Sequence, residues 1–366
     1  MFENIVGNDH IKEYLNRMVE TQSIGNSLMF AGPDGIGKSL FAVELAKLII
    51  CQDDPHGVHR HKIETGNHPD IRHFRPEGKS GIHSIESMRQ FSEDVYLHPY
   101  EAKWKVYIIH DAHRMMTYSA NALLKTFEEP SKQSVIILLT HAPEALLPTV
   151  LSRCRTLHFH RVTDREIAMF LTDNHHCPTD EARRYAEMSH GSISKALELM
   201  HDGGDPLRER LLSFLAKGRV STYSELTDFV KEMSAQIDLS KKEAETEIKQ
   251  ELLAGASMDD MSATQKNTIN KEVEGAVAMR QLHGAHELLD IVLSWYRDVQ
   301  LLYLGGDNRY IINKDYEPAM QEMVIKEEPL ALEEVQEMIK NVRTSLARST
   351  SLSLCLENLF LKLNFL

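Results

Sequence analysis

Cysteine is scarce in this chain: Cys51, Cys154, Cys177 and Cys355 are the four present in 366 residues, dispersed and without a C-x-x-C pair. That usage excludes a secreted disulfide framework and fits reduced thiols. Glycine and proline, at 18 and 12, are too few for a collagen-like or largely disordered chain. Positive charge is in deficit, with 41 Lys and Arg against 54 Asp and Glu and a net charge of −13. This is the wrong sign for a protein that holds nucleic acid over its whole surface by counterion release, so any DNA contact is local or delegated to partners. Long apolar runs are missing too. The most apolar early stretch, Leu40 to Ile50, is interrupted by Glu44 and Lys47, and Met1-Phe2-Glu3-Asn4 is no basic region leading into an apolar run. The expectation is a cytoplasmic protein with no membrane span.

What is present reads as an ordinary globular chain, 42% apolar and 26% charged, long enough for two or three domains. Residues 1–160 alternate β-branched runs (Ser27 to Phe30, Val106 to Ile109, Val135 to Leu139) with helix-capable stretches. That alternation predicts an α/β domain with a parallel sheet and flanking helices. Thr163-Asp164-Arg165-Glu166 is a capping box that opens a helical region, with further helices near Thr179 and Ser192. The break His201-Asp202-Gly203-Gly204-Asp205-Pro206 sets a boundary at 205. Beyond it Val335, Met338, Ile339 and Val342, then Leu352, Cys355, Leu356, Leu359, Phe360 and Leu363, fall at helical spacing and predict an all-helical domain. The charged stretch Lys241 to Glu274 reads either as a solvated helix pair or as a mobile insertion.

Gly32-Pro33-Asp34-Gly35-Ile36-Gly37-Lys38-Ser39 matches G-x-x-x-x-G-K-[ST] between a predicted strand and a predicted helix. Gly32, Gly35 and Gly37 let backbone N–H groups turn towards phosphates at a helix N-terminus, Lys38 neutralises the β and γ phosphates, and the Ser39 hydroxyl can ligate Mg²⁺. The expected ligand is ATP or ADP with Mg²⁺. Hydrolysis asks for a second strand ending in two adjacent acids. Here Lys105 to Ile109 ends His110-Asp111-Ala112-His113, so Asp111 stands alone. His110 replaces the metal-side acid in one register, and Ala112 the catalytic acid in the other. Thr140, ending the third long strand, either senses the γ-phosphate or simply ends the strand and caps the segment from Pro143.

Three ordered segments carry a resemblance: Val106 to His113, Asn121-Ala122-Leu123-Leu124-Lys125-Thr126-Phe127-Glu128-Glu129-Pro130, and Leu146-Leu147-Pro148-Thr149-Val150-Leu151-Ser152-Arg153-Cys154. They resemble the bacterial clamp-loader subunits of DNA polymerase III, of the AAA+ superfamily. The resemblance runs from Ile5-Val6-Gly7-Asn8, similar to the family's adenine-side segment, to Gly191 through Leu197; past 205 only the helical character is similar. It implies a P-loop AAA+ domain over 1–162, a small helical lid over 163–205 and an all-helical collar over 206–366, with Val6 on the adenine side. A Ser-Arg-Cys motif beside a single acid looks like the delta-prime subunit, the member that does not power the machine. Ser194 stands where ATPase members place a phosphate-sensing Arg, and Lys195 is one position late. The complete phosphate loop departs from delta-prime subunits, in which it is often damaged; nucleotide binding without turnover reconciles the two.

The same resemblance gives Arg153 a role as an arginine finger in trans, neutralising charge on a neighbour's nucleotide. Read without it, Arg153 is a surface or salt-bridging cation. Implied partners are gamma/tau and delta-type subunits in a hetero-oligomeric ring, with the sliding clamp and primed DNA reached through the complex. An active ATPase of gamma/tau type is the alternative. A different AAA+ protein acting on DNA by itself is a weaker one, against which the acidic balance counts.

Cys51, His56, His59, His61, His68, His73 and His83 crowd one insertion after the phosphate-loop helix. In the resembling family this insertion often binds Zn²⁺ through four cysteines. Cys51, His56, His59 and His61 can offer one sulfur and three nitrogens, yet structural zinc sites are cysteine-dominated with C-x₂₋₄-C spacing. Zinc is therefore not expected, and the histidines are read as a solvated loop titrating near neutrality.

Overall fold

The computed structural model describes residues 2, 5–54, 57–253, 262–326, 328–348 and 350–365. The chain divides into two compact units, residues 1–204 with 250–276, and residues 205–249 with 277–366. The first unit opens with α1 (Asp9–Glu20), β1 (Ser27–Ala31), α2 (Lys38–Ile50), α3 (Val58–Glu64), β2 (Ile71–Phe74), α4 (Ile85–Asp94) and β3 (Lys105–Ile109). There follow α5 (Thr117–Ala122), α6 (Leu124–Glu128), β4 (Ser134–Thr140), α7 (Pro148–Leu151) and β5 (Arg155–His158). The strands form one parallel sheet in the order β2-β3-β4-β1-β5.

β1, β3 and β4 are apolar without alternation because both sheet faces are covered. Leu28, Phe30, Val106, Ile108, Val135 and Ile137 share a core with Leu15, Phe41 and Leu45 of α1 and α2. Their neighbours Met29, Tyr107, Ile109, Ile136 and Leu138 share the opposite one with Met88, Phe91 and Phe127 of α4 and α6. The predicted strands are all present. β2 lies inside the histidine-rich insertion, where no strand was expected: its four residues, Ile71-Arg72-His73-Phe74, are half polar and gain strand character by pairing with β3. The solvated-loop expectation is corrected with it. His68 and His83 are buried, and burial lowers the pKa of His68 and takes those of His73 and His83 down to about 4.

Beyond the sheet come α8 (Asp164–His175), α9 (Thr179–Met188) and α10 (Ile193–Asp202), packed around Ile167, Leu171, Ala182, Tyr185, Ala196 and Leu199. The capping box forms as read: the Thr163 hydroxyl accepts from Glu166 N–H at 3.3 Å, and the Glu166 carboxylate accepts from Thr163 N–H at 3.0 Å. Gly191 has a positive φ of 84°, and a Cβ there would lie 2.7 Å from that of Arg161.

The remaining helices are α11 (Pro206–Lys217), α12 (Tyr223–Leu253), α13 (Ala263–Tyr303), α14 (Glu317–Lys326), α15 (Leu332–Ala347) and α16 (Leu352–Lys362). In the second unit Leu212, Met233, Leu288 and Trp295 form one core with Val335, Ile339, Leu356 and Phe360 of the stripes on α15 and α16. The charged stretch 241–274 is helical as far as Leu253 and again from Ala263, with 254–261 outside the described residues. Its later part is anchored within the first unit, where Gly78 N–H donates to the Lys271 carbonyl at 2.9 Å. Among the described residues no helix is long and apolar enough to cross a membrane.

Candidate nucleotide-binding site

β1 ends at Ala31, and the chain turns through Gly32 to Gly37 before α2 starts at Lys38. The loop is tied to the sheet by Gly32 N–H, which donates to the Thr140 carbonyl at 3.1 Å. Neighbouring elements pack too closely for side chains at two loop positions: a Cβ on Gly32 would lie 2.9 Å from that of Phe159, and one on Gly35 would collide with the Ser192 hydroxyl. Gly35 and Gly37 take positive φ values of 71° and 89°, which a glycine adopts without strain. The loop thus leads directly into the N-terminus of α2, the kind of helix end whose unpaired N–H groups suit an anion.

The Lys38 side chain is buried at the centre of this loop. Its ammonium donates to the Gly32 carbonyl at 2.7 Å and the Pro33 carbonyl at 2.5 Å, and lies 3.4 Å from Asp34 Oδ1. Burial lowers its pKa, against the opposing pull of the Asp34 and Asp111 carboxylates. Ser39 is exposed in the first turn of α2. α10 closes on the loop from the other side, with Ser194 N–H donating to the Gly35 carbonyl at 3.1 Å. Ser194 thus meets the loop through its backbone, while the Lys195 ammonium lies 3.4 Å from Glu198.

The end of β3 supplies a single acid, as its sequence indicates. Asp111 has a left-handed φ of 47°. Burial raises its pKa, reinforced by Asp34 and opposed by His141 and Lys38. His110 is directed elsewhere: its Nε2 lies 3.0 Å from His73 Nδ1 on β2, and burial holds its pKa far below the ordinary value. Ala112 is fully buried. Neither neighbour of Asp111 provides the second acidic group that activation of water would use.

Thr140 is buried, and its hydroxyl accepts from Ala142 N–H at 3.1 Å, capping the turn towards Pro143–Ala145. It also lies 3.4 Å from His113 Nδ1. Val6 packs against the core of α8–α10, and Asn8 clasps the His160 backbone with hydrogen bonds of 3.0 and 2.8 Å. Arg153 follows α7 and is held by Glu128, 3.1 Å from its Nη2, and by the Thr149 carbonyl, 3.0 Å from its Nη1. Those partners lie on α6 and α7, not on the phosphate loop. The adjacent Cys154 thiol is pushed up to about 12 by burial.

Three residues at the loop escape a reading based on motifs. Asp34 occupies a free position of the loop pattern, His113 lies two residues past Asp111, and His141 follows Thr140. His141 Nδ1 lies 2.8 Å from Asp34 Oδ2, and the His113 and His141 ring centres are 4.1 Å apart. Asp111, His113 and His141 could gather around a cation. Two imidazoles and one carboxylate, however, differ from the oxygen set that Mg²⁺ selects. The available sequence signal was an acid inside the loop together with histidines after two strand ends.

Among the described residues, the zinc set named from sequence does not come together. His56 lies outside the described residues, and neither Cys51 nor His61 joins the group that forms, which is His59 with His68 and Glu101. Even that group is organised as hydrogen bonds. Asp70 N–H donates to His68 Nδ1 at 3.1 Å, which leaves His68 Nε2 carrying the proton towards His59 Nδ1 at 2.9 Å. A metal on Nε2 would need the proton on Nδ1, facing another donor. These residues do not fit the cysteine-rich zinc site of the resembling family.

Residues 7–163 match the family described as DNA polymerase III, delta subunit. The chain is 33% identical over 198 residues to DNA polymerase III subunit delta' of Bacillus subtilis (strain 168), covering 52% of this chain and 58% of that protein. It is 31% identical over 210 residues to subunit gamma of Buchnera aphidicola subsp. Acyrthosiphon pisum (strain APS), covering 54% and 57%. Over 172 residues it is 31% identical to subunit tau of Bacillus subtilis, covering 45% and 30%. The chain therefore spans little more than half the length of the first two relatives and less of the third. The parallel sheet and the Gly32 to Ser39 loop both lie within residues 7–163, the part of the chain that is similar to these DNA polymerase III subunits.

Proposed function

We propose that this chain acts as a delta-prime-like clamp-loader subunit that binds ATP or ADP with Mg²⁺, turns it over poorly, and lends Arg153 to a neighbour's nucleotide. Its partners are gamma/tau and delta-type subunits in a hetero-oligomeric ring in the cytoplasm, which loads the sliding clamp onto primed DNA. The observation that carries this reading is the strand end at Asp111: one buried carboxylate, with His110 engaged by His73 and Ala112 inert. In the bound state Lys38 would hold the β and γ phosphates and Ser39 the Mg²⁺, which supplies charge neutralisation. Val6 and Asn8 would border the base. Arg153 supports the trans role because it is 29% exposed and its partner Glu128 is itself 58% exposed, a pairing that costs little to exchange. The Asp111, His113 and His141 group is not needed for metal chemistry in this account.

The alternative, an active ATPase of gamma/tau type, is favoured by one feature, the complete phosphate loop with Lys38 and Ser39. Steady-state hydrolysis and nucleotide affinity of the isolated chain separate the two. The proposal expects MgATP to bind, Lys38→Ala to abolish binding, and turnover to stay at background. Turnover comparable to that of gamma/tau subunits, lost in Lys38→Ala, would establish the alternative.

A further inference from the structure

Asp34 brings a negative charge into a loop built to receive one. Its Oδ1 lies 3.4 Å from the Lys38 ammonium and its Oδ2 lies 2.8 Å from His141 Nδ1. The loop positions that flank it, Gly32 and Gly35, are those where a Cβ would collide with Phe159 and Ser192. A carboxylate oxygen facing each of two basic side chains, in the loop that leads into the N-terminus of α2, reproduces what a phosphate group would offer the same residues. The second donor comes from a distant part of the chain: His141 follows the last residue of β4, whose Thr140 carbonyl also binds the Gly32 N–H.

Resting on the nucleotide-binding reading above, we infer that the Asp34 carboxylate is an internal stand-in for a nucleotide phosphate, which an incoming triphosphate must displace from Lys38 and His141. The chain is thereby self-restrained, and His141 becomes a phosphate-contacting residue once Asp34 is displaced. The charges around the pair agree. Asp34 raises the pKa of His141 and leads the forces that oppose the fall at Lys38, so both donors are set to an anion. Asp111 adds a second negative charge nearby, whose own raised pKa registers Asp34 after burial. Two carboxylates close to one phosphate site disfavour a polyanion by repulsion, and removing one relieves it. His113 does not act as a competing cation, since burial and His141 take its pKa down to about 3.

The test compares MgATP dissociation constants and melting temperatures of the unmodified chain, Asp34→Asn, and Asp34→Asn combined with His141→Gln. Asp34→Asn should bind MgATP roughly tenfold more tightly, on the scale of one charge-assisted contact. It should melt lower than the unmodified chain without nucleotide and higher with it, a crossing that loss of a merely structural ion pair would not produce. Adding His141→Gln should cancel part of the gain. Should Asp34→Asn fail to fold, Asp34→Ser removes the same charge. Binding by the charge-removed chain alone would support the inference in its strongest form. Equal or weaker MgATP binding by a folded Asp34→Asn chain, with the unmodified chain binding, overturns the inference and leaves the nucleotide reading standing. No binding by either overturns both.

Discussion

At the scale of single residues, histidine is where burial and charge conflict most. His83 donates from Nε2 to the His110 carbonyl at 2.7 Å, while its Nδ1 is buried without a hydrogen-bond partner. Protonating Nδ1 would place a cation beside Arg114 in a dry site, so burial takes the folded-state pKa down to about 4 from 6.5, and His73 behaves alike. Between these values the unfolded chain binds more protons than the folded one, so stability rises with pH. It is fully present above about 6.5 and is lost as pH falls towards about 4. Asp111 acts with the opposite sign, because its raised pKa favours the fold when the carboxyl is protonated. Urea midpoints should therefore fall as pH is lowered from 6.5 to 4, and His83→Asn should flatten part of that slope. Parallel profiles for the two chains would contradict a neutral buried His83.

At the scale of elements, the three-helix segment α8–α10 begins where its capping box begins. Thr163 and Glu166 satisfy each other's backbone donors at the start of α8. Thr163→Ala should cost about 1 kcal/mol, read as a lower denaturation midpoint of the first unit; an unchanged midpoint would mean that the box contributes nothing. Such local devices were legible because their chemistry is written in adjacent residues: the capping box, the phosphate loop, and the stripes of α15 and α16. β2 was not legible, because Arg72 and His73 interrupt its apolar residues and only the ladder to β3 makes it a strand. The His59, His68 and Glu101 group was hidden for a similar reason. Glu101 reaches His68 through a turn whose N–H groups at Tyr100, Glu101 and Ala102 are held by the buried Asp70 carboxylate at 2.6 to 2.9 Å. At the phosphate loop, the motif located Lys38 and Ser39, but the Asp34 to His141 pairing joins strand ends far apart in the chain. No spacing rule expresses that.

At the scale of the whole molecule, a net charge of −13 disfavours gripping nucleic acid over the whole surface, which agrees with the proposed role inside a complex. On the function proposed above, a strand end with one acid and a partly exposed arginine would divide the work of hydrolysis between chains. The central claim is that this chain gives chemistry to a neighbour instead of performing it. An arginine finger is worth roughly 10³ to 10⁵ in rate where it is the only such charge, but a ring with several ATP sites loses only the share drawn from this subunit. The most direct measurement is ATP hydrolysis, stimulated by clamp and primed DNA, in a reconstituted complex carrying Arg153, Arg153→Ala or Arg153→Lys. The account predicts normal assembly in all three, a partial loss of hydrolysis in Arg153→Ala, and poor rescue by lysine, whose ammonium lacks the planar fork. An Arg153→Ala complex that assembles normally and hydrolyses ATP at the unmodified rate across ATP concentrations would contradict it.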